Sequence, residues 1–421
     1  MHLLVVVVVA LIAIYLLTRS SSGRRDAVDE GVVEVVEDAA GLPQIAFVSR
    51  GRLFCRVPGE AAKQVQSQFA QASVDRVERS KRLHGWKEGT AFETSFLRRA
   101  ARQGAEAVAA WQFSSAQFRP EGRMIYFLRD GTAGGLFEVD LASGKEQRLL
   151  HRQRLNLEDL CVDRDGKRVL ASQVESNGTA TIVAFDADGS NYHEVTSGDT
   201  IDASPAFVPD REGAIVFESA GLARSPAGFP LARGPSSIQL LDGELTTVVE
   251  HPRFDYLRPR VAPDGALYYI RRPYEPPRYG LGAALVDALL FPFRLVRAFF
   301  HYLNFFSLMY SRKPLTSATG PEVEAEMKDI LLKGKRLDAE AALRNGIRLG
   351  GVPSLVPASW QLIRRNRTGE EQVVASHVVS YDIGSDGTIL FSNGFGAFHL
   401  APNARPRLVL KHSVISELVV G

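Results

Sequence analysis

The chain has 421 residues, of which 45% are hydrophobic and 23% are charged, and its formal net charge is +2 at pH 7. These are ordinary values for a folded globular protein, so they exclude wholesale disorder and disfavour nucleic acid as the principal partner. Two cysteines are too few for a disulfide scaffold or a thiolate metal site. The 36 glycines and 21 prolines are typical of a turn-rich, all-β protein.

The chain begins with an apolar segment that carries no charged side chain in its first 17 residues. A cleaved signal peptide has a positive leading region and a small-residue cleavage site, and neither is present here. We therefore predict a single transmembrane anchor over residues 1–18, which makes cell membrane the expected location. Arg19, Arg24 and Arg25 follow the anchor. By the positive-inside tendency they favour a cytoplasmic position for the rest of the chain.

Residues 19–43 are predicted to form a polar linker, within which the run from Gly31 to Asp38 alternates well enough to be an edge or closing strand. A hairpin is expected at Gln44–Val57. The remaining segment, residues 44–421, is predicted to form one β domain with two long insertions, at about 66–110 and 274–356.

One short phrase recurs along this domain: an apolar strand, a turn built on Asp-Gly or a close relative, and a second apolar strand. Its five copies align on one glycine each, and these are Gly122, Gly166, Gly213, Gly265 and Gly387. The steps between them are 44, 47, 52 and 122 residues, and the last step contains the second insertion. A blade of four strands needs about 40–50 residues. The spacing therefore predicts a β-propeller.

The C-terminal run from Ser413 to Gly421 is an apolar strand with no successor. We predict that it pairs with the first blade, which begins near Gln44, and closes the ring. With the five phrases this gives six blades of four strands, so the predicted fold is all-β, a six-bladed β-propeller with an N-terminal transmembrane helix and two helical insertions.

The phrases Pro205–Ser219 and Pro259–Ile270 resemble the repeats of TolB-like propellers, a WD-repeat-like group whose blades carry proline, aspartate and glycine in a similar arrangement before an apolar strand. The resemblance covers most of residues 44–421. It implies a propeller that binds protein or peptide, and it favours a periplasmic position, in contrast to the arginines after the anchor. The anchor and the two insertions are absent from the simple family pattern.

The first insertion is rich in Arg, Glu, Ala and Gln, and it is interrupted by Gly85, Gly89 and Gly104. This pattern predicts helical segments that either cover one end of the propeller or bind a partner. Trp86 is its most prominent apolar side chain and is the predicted partner contact.

The second insertion contains an almost entirely apolar run from Gly280 to Tyr310, whose few polar residues fall on about one half of a helical surface. A helix lying in the lipid interface fits this pattern best. A helix packed on the propeller and a second spanning helix are the alternatives. The predicted membrane-interface residues are Phe291, Phe293, Arg294, Arg297, Phe299, Phe300, Phe305 and Phe306. Further along, residues 321–346 are predicted to form a charged helical hairpin.

No catalytic motif, metal-ligand spacing or phosphate-binding loop is present, and no cofactor is predicted. Asp186–Asn191 partly resembles a calcium loop but lacks the glutamate at the twelfth position, so we interpret it as a hairpin turn. The preferred hypothesis is a membrane-anchored, non-catalytic propeller that binds lipid through the anchor and residues 280–310 and also binds an unidentified protein. The alternative is a propeller hydrolase or lyase with its site in the central channel.

Overall fold

The computed structural model describes residues 34–35, 42–84, 111–276, 329–332, 335–338, 342, 347–401 and 405–421. The predicted anchor, the membrane-interface residues between Phe291 and Phe306, and Trp86 lie outside these ranges. Within the described residues, no helix is long and apolar enough to span a membrane.

Six groups of four antiparallel strands make up the domain, and the four strands of a group are not always consecutive in the chain. Blade one holds β2 (Ile45–Ser49), β3 (Arg52–Arg56) and β4 (Lys63–Gln64). Blade two holds β5 (Gln112–Arg119), β6 (Arg123–Arg129), β7 (Ala133–Asp140) and β8 (Glu146–Gln153). Blade three holds β9 (Leu157–Val162), β10 (Arg168–Val174), β11 (Ala180–Asp186) and β12 (His193–Glu194). Blade four holds β13 (Thr200–Phe207), β14 (Ile215–Arg224), β16 (Ser237–Asp242) and β17 (Glu244–Val249), and the short β15 (Pro230–Arg233) pairs with the end of β14. Blade five holds β18 (Phe254–Val261), β19 (Leu267–Pro273), β24 (Gln361–Arg365) and β25 (Glu371–Ser376); blade six holds β26 (Ser380–Ile383), β27 (Ile389–Ser392), β28 (Gly396–Leu400) and β29 (Arg407–Lys411).

Two terminal strands complete the blades. The innermost strand of blade one is β30 (Ile415–Val420), which pairs antiparallel with β2 so that Phe47 lies opposite Leu418. The prediction that the C-terminal strand closes the ring is therefore confirmed. A short strand before blade one, β1 (Glu34–Val35), pairs with β29 at the outer edge of blade six. The first and last described strands thus lie in two neighbouring blades.

The innermost strands form a closed circuit. In the order β30, β5, β9, β13, β18 and β26, each strand contacts the next, and β26 contacts β30 again. A radial array of sheets whose inner strands close on themselves is a β-propeller. The six blades predicted from the sequence repeats are present.

The aligned glycines are located at the turns between the first and second strands of blades two to six. Gly265 and Gly387 have backbone φ angles of 79° and 85°, in the left-handed region that glycine adopts without a steric penalty. At the first of these turns, the Asp264 carboxylate accepts a hydrogen bond from the backbone N–H of Ala266 at 2.9 Å, and this bond lowers the pKa of Asp264. Asp-Gly chemistry therefore fixes the turns, as predicted.

The antiparallel order of each blade gives the propeller two different ends. The first-to-second and third-to-fourth strand turns lie at one end, which we call the Asp-Gly face. The second-to-third connections and the links between blades lie at the other end, which we call the crossover face. The hairpin tip between β14 and β15 and the start and end of the second insertion lie at the crossover face, because they connect second to third strands. Glu34, which pairs with the last residue of β29, lies there as well.

The first insertion is helical over the part that the structure describes. Helix α1 (Gln68–His84) follows β4, and the Glu146 carboxylate of blade two accepts hydrogen bonds from the backbone N–H groups of Gln68 at 2.7 Å and Phe69 at 3.2 Å. A carboxylate at this position satisfies free donors and favours the helix dipole. The Phe69 ring packs against Trp111. The start of α1 is therefore attached to blade two.

The predicted charged helical hairpin over residues 321–346 is wrong over residues 329–332 and 335–338, whereas Ala342, the other described residue of this segment, is helical. Strands β20 (Asp329–Leu332) and β21 (Lys335–Asp338) form an antiparallel β-hairpin, and β22 (Arg348–Leu349) pairs with β23 (Val352–Pro353) in a second one. Leu337 is buried in the same apolar cluster as Val352 and Leu355. Packing onto the propeller has thus overridden the local helical preference of this segment.

Apolar side chains fill the spaces between adjacent blades. Phe127 of blade two, for example, packs in one cluster with Val169 and Phe185 of blade three. Burying one such aromatic side chain is worth about 1.5–3 kcal/mol. These layers hold the inner strands at fixed positions around the channel.

Candidate functional site

The central channel is lined by one polar residue from each repeated phrase. Seven positions before the aligned glycine stand Ser115, Asp159, Arg258 and Ser380, and Ser204 occupies the same place in blade four, whose turn is two residues longer. All five side chains are buried. The repeat thus places hydroxyl, carboxylate and guanidinium groups at one level of the propeller.

These channel residues connect each blade to its neighbour. The Ser115 hydroxyl accepts a hydrogen bond from the backbone N–H of Leu160 at 2.9 Å, one blade further on. The Asp159 carboxylate accepts bonds from the Ser204 backbone N–H at 3.2 Å and from its hydroxyl at 3.1 Å. Ser380 accepts a bond from the backbone N–H of Leu418 at 3.1 Å. Burying a polar group costs little free energy of folding only when the group is hydrogen-bonded in this way.

The closing strand β30 is held by three other blades. Ser115 of blade two donates to the Glu417 carboxylate at 2.9 Å, and Arg258 of blade five lies 3.6 Å from the same carboxylate. Arg258 also donates to the Leu418 carbonyl at 3.3 Å. The Asp382 carboxylate of blade six accepts a bond from the backbone N–H of Val420 at 3.0 Å. Four side chains thus fix a strand that is 160 residues from Arg258 along the chain.

A second layer lies five positions before the glycines, and it contains Cys161, Arg260 and Asp382. The Arg260 guanidinium is 3.5 Å from the Asp382 carboxylate and donates to the Pro259 carbonyl at 2.9 Å. Burial opposes the charged form of Arg260, whereas the nearby carboxylates of Asp382 and Asp159 favour it, and the pKa of Arg260 is raised overall. This arginine is therefore a fixed positive charge in the channel.

The thiol of Cys161, a residue type that can act as a nucleophile, lies near the positive charge of Arg260. Burial raises the pKa of its thiol, and the opposing influence of Arg260 is smaller. Only the thiolate attacks electrophiles or binds soft metals. The channel therefore holds Cys161 as a neutral thiol, while the Tyr381 hydroxyl donates to the Arg258 carbonyl at 2.7 Å. The arrangement places a guanidinium and a carboxylate next to a buried thiol.

Metal-binding chemistry has no centre in the described part of the chain, where no group of three or more His, Cys, Asp and Glu side chains converges. The aspartates of the repeat turns stay at the Asp-Gly face. At the turn that resembles a calcium loop, the Asp188 carboxylate accepts bonds from the backbone N–H of Ser190 at 2.9 Å and from its hydroxyl at 2.6 Å. The interpretation of that loop as a hairpin turn agrees with this geometry.

A shallow groove of about 260 Å³ lies between blades three and four, near the Asp-Gly face. Its floor includes Leu170, Phe207 and Ile215, and its rim includes Arg168 and His193. The Arg168 guanidinium lies over the Phe207 ring at 5.4 Å from its centroid, within the separation of about 6 Å that defines a cation–π contact. The lining of the groove contains none of the polar channel residues.

Sequence reasoning did not single out the channel residues. The signal was present, because in four of the five phrases the polar residue stands seven positions before the aligned glycine, but the residue is serine in three blades, aspartate in one and arginine in one. Glu417 lies in β30, which is not joined by a turn to the second strand of its blade. It therefore has no aligned glycine from which its position could be counted. The residues that were predicted as sites, Trp86 and the set from Phe291 to Phe306, lie outside the described residues.

Comparisons with known proteins give distant structural similarity and no family. No protein-family model matches the sequence, and no curated protein matches it. Among solved structures, TolB from Acinetobacter baumannii is 12% identical, with a TM-score of 0.47 over 91% of this chain and 67% of that chain. An oligogalacturonate lyase in complex with manganese is 13% identical, with a TM-score of 0.36 over 91% and 96%. The β-propeller domain of the trilobed protease from Pyrococcus furiosus is 12% identical, with a TM-score of 0.30 over 71% and 78%.

These likenesses concern fold, and the assignment itself comes from the strand pairing. The closed ring of inner strands and the closing C-terminal strand define the protein as a six-bladed β-propeller. A propeller is a scaffold that hosts many unrelated functions, so function must be argued from its sites.

Proposed function

We propose that the protein is a membrane-anchored, non-catalytic β-propeller that binds a protein partner as a scaffold or assembly factor. The proposal rests on what the polar side chains of the central channel contact. In propellers the channel is where side chains from several blades can converge on a substrate, but here those side chains bind the blades to one another. Ser115, Glu417 and Arg258 form one continuous set of contacts, and Arg260 pairs with Asp382.

Partner binding is then assigned to the surface and to the insertions. Leu83, in the last turn of α1, is 64% exposed, and it lies three residues before Trp86. Large aromatic side chains dominate the binding energy of many interfaces. The end of α1 and the residues that follow it are the proposed partner-binding element.

A photo-cross-linking amino acid at Leu83 in the full-length protein tests this assignment. We expect one discrete protein adduct in the membranes of the producing cell, and we expect Trp86→Ala to abolish it. The matched control is the same amino acid at Leu245, a leucine of similar exposure (61%) at the start of β17 in blade four. Equal adducts from both positions, or an adduct that is insensitive to Trp86→Ala, would contradict a partner site at α1.

Membrane attachment is tested by co-flotation with vesicles of phosphatidylcholine and phosphatidylglycerol. The full-length protein is expected to float, and so is a protein that lacks residues 1–25, because residues 280–310 provide a second attachment. Changing Phe299, Phe300, Phe305 and Phe306 to serine in the shortened protein should abolish flotation. A shortened protein that stays in solution and is monodisperse would show that residues 280–310 do not bind lipid.

The alternative, a hydrolase or lyase with its site in the channel, is favoured by the proximity of Cys161 to the Arg260–Asp382 pair. It requires Cys161 or Asp382 to be chemically available. The raised pKa of the thiol and the contact of Asp382 with both Arg260 and Val420 argue for the binding function instead.

A further inference from the structure

Blade four carries a projection that the other described blades lack. Strand β14 continues beyond its pairing with β16, and its residues Leu222–Arg224 pair with β15 to form a small hairpin over Leu222–Arg233. We call this element the blade-four hairpin. It stands at the crossover face, because it occupies the connection between the second and third strands.

The tip of the blade-four hairpin is rigid. The Arg224 guanidinium donates to the Asp199 carboxylate at 2.6 Å, to the Asn177 carbonyl at 3.1 Å and to the Gly228 carbonyl at 3.0 Å. The backbone N–H of Gly228 closes the turn by donating to the Ser225 carbonyl at 2.9 Å. One arginine thus ties the hairpin to blade three and to its own turn.

This rigid tip presents apolar side chains to the outside. Phe229 is 69% exposed and Leu231 is 65% exposed, and, as alternate residues of an extended segment, they project from the same side. Large apolar side chains that a protein holds rigidly in solvent mark a contact surface more strongly than scattered ones do. Because hydrogen bonds fix the conformation of the tip, the exposure of Phe229 and Leu231 is part of the folded structure.

The base of the hairpin adjoins the place where the second insertion leaves the propeller. The Tyr274 hydroxyl donates to the Arg233 carbonyl at 2.5 Å, and its backbone N–H donates to the Arg253 carbonyl at 2.9 Å. Six residues after Tyr274, the sequence begins the apolar run 280–310. The chain that precedes Glu34 also joins at this face, on blade six, and it contains the apolar residues 3–17.

The blade-four hairpin and the two points at which the described chain leads into these apolar segments, after Tyr274 and before Glu34, therefore lie at the crossover face, on blades four, five and six. They are far apart in the sequence, and a surface that contacts all three has to extend across several blades. A lipid bilayer is such a surface, and it accepts separate apolar anchors without requiring a matching shape.

We propose that the crossover face is the membrane-facing end of the propeller and that the blade-four hairpin inserts Phe229 and Leu231 into the lipid interface. This inference rests on the proposed function, from which it takes the membrane attachment. It adds an orientation, with the Asp-Gly face directed away from the bilayer, and a third contact point on the folded body. Arg253, exposed next to the base of the hairpin, lies where it can meet anionic headgroups.

The test uses the full-length protein with Cys55→Ser and Cys161→Ser and a single new cysteine, Phe229→Cys or Leu231→Cys, labelled with the fluorophore NBD. Leu245→Cys is the matched control, because it is a similarly exposed leucine in the same blade at the opposite face. The labelled proteins are reconstituted into vesicles of phosphatidylcholine and phosphatidylglycerol with or without spin-labelled phosphatidylcholine. We expect a blue shift at positions 229 and 231 and a loss of roughly half of their emission with the spin label, and neither change at 245.

Equal emission and equal quenching at 229 and 245 would overturn the inference. A blue shift at 229 without quenching by spin-labelled lipid would also overturn it, because it would show that the hairpin contacts protein. Co-flotation in the same samples distinguishes a failure of the hairpin insertion from a failure of the membrane attachment. Protein that floats without quenching at 229 contradicts only the hairpin insertion, whereas protein that fails to float contradicts the membrane attachment in the proposed function.

Discussion

The Arg258 guanidinium lies 3.6 Å from the Glu417 carboxylate, two blades away from its own strand, and both side chains are less than a tenth exposed. Glu417 belongs to the strand that closes the ring, so this ion pair acts between the body of the propeller and its last strand. Removing one member of a buried pair leaves an uncompensated charge, which costs much more than the pair itself contributes.

Arg258→Met is accordingly expected to lower the free energy of unfolding by about 3–5 kcal/mol, and Glu417→Gln by a similar amount. The double variant should be less destabilised than the sum of the two, because it leaves no unpaired charge. Chemical denaturation measures all three. Arg211→Ala is the control, since its pair with Asp242 is largely exposed and should contribute less than about 1 kcal/mol. Additive losses would show that Arg258 and Glu417 do not interact.

Deleting residues 415–421 should prevent the ring from closing. The deletion removes the inner partner of β2 and exposes a row of unpaired backbone groups, which promotes association between chains. We expect loss of the monodisperse species in size-exclusion chromatography. Ser416→Ala, which removes only one hydroxyl bond to the Val48 carbonyl, is the control and should stay monodisperse. A deleted protein with native hydrogen-exchange protection in β2 would be the contrary result.

Gly134→Ala is expected to be strongly destabilising for a steric reason. A Cβ atom at this position would lie 2.2 Å from the Leu155 carbonyl oxygen and 2.3 Å from the Phe127 ring, and these neighbours belong to the packed layer between blades two and three. Overpacking of this kind costs about 1–3 kcal/mol or more. Gly221→Ala is the matched control, because nothing lies within 4 Å of its Cβ position. Thermal unfolding compares them, and similar midpoints would refute the packing argument.

His412 makes stability depend on pH. The ring packs against Phe47 and Phe54, and burial lowers the pKa of His412 below its ordinary 6.5. The neutral form is therefore favoured in the folded protein, and its stabilising effect is complete above the unfolded pKa and is lost as pH falls from about 6.5 towards the lowered folded value.

His412→Gln should remove the part of the acid-induced decrease in the free energy of unfolding that is due to protonation of His412. The measurement is the free energy of unfolding at about pH 7.5 and about pH 5.5 for both proteins. His193→Gln, at an exposed position on β12, controls for the removal of one histidine. The same acid-induced loss in His412→Gln as in the parent protein would mean that other groups cause it.

The two thiols should react slowly in the folded protein. Burial raises the pKa of Cys55 to about 11, and it also raises the pKa of Cys161. Alkylation by iodoacetamide at neutral pH is expected to modify neither residue until denaturant is added, and peptide mass spectrometry resolves the two sites. Rapid modification of Cys161 alone would point to an activated nucleophile and would favour the channel hydrolase or lyase over the scaffold.

Local chemistry explains why much of the fold could be predicted. A glycine with positive φ after an aspartate that bonds to the next backbone N–H makes a turn wherever it occurs, and the flanking apolar runs make strands. The same reasoning failed between Asp329 and Asp338. Intrinsic preference there favours a helix, but burial of Leu337 against Val352 selects a β-hairpin.

The sequence by itself determined the number of blades, the positions of their turns and the role of the last strand, because each of these depends on residues within a few positions of one another or on a simple count. Only the tertiary structure decided what the channel residues touch. Ser115 and Glu417 are separated by 302 positions, and Arg258 meets Glu417 only after the ring has closed. Such contacts depend on the curvature of the whole propeller, and no short stretch of sequence encodes that curvature.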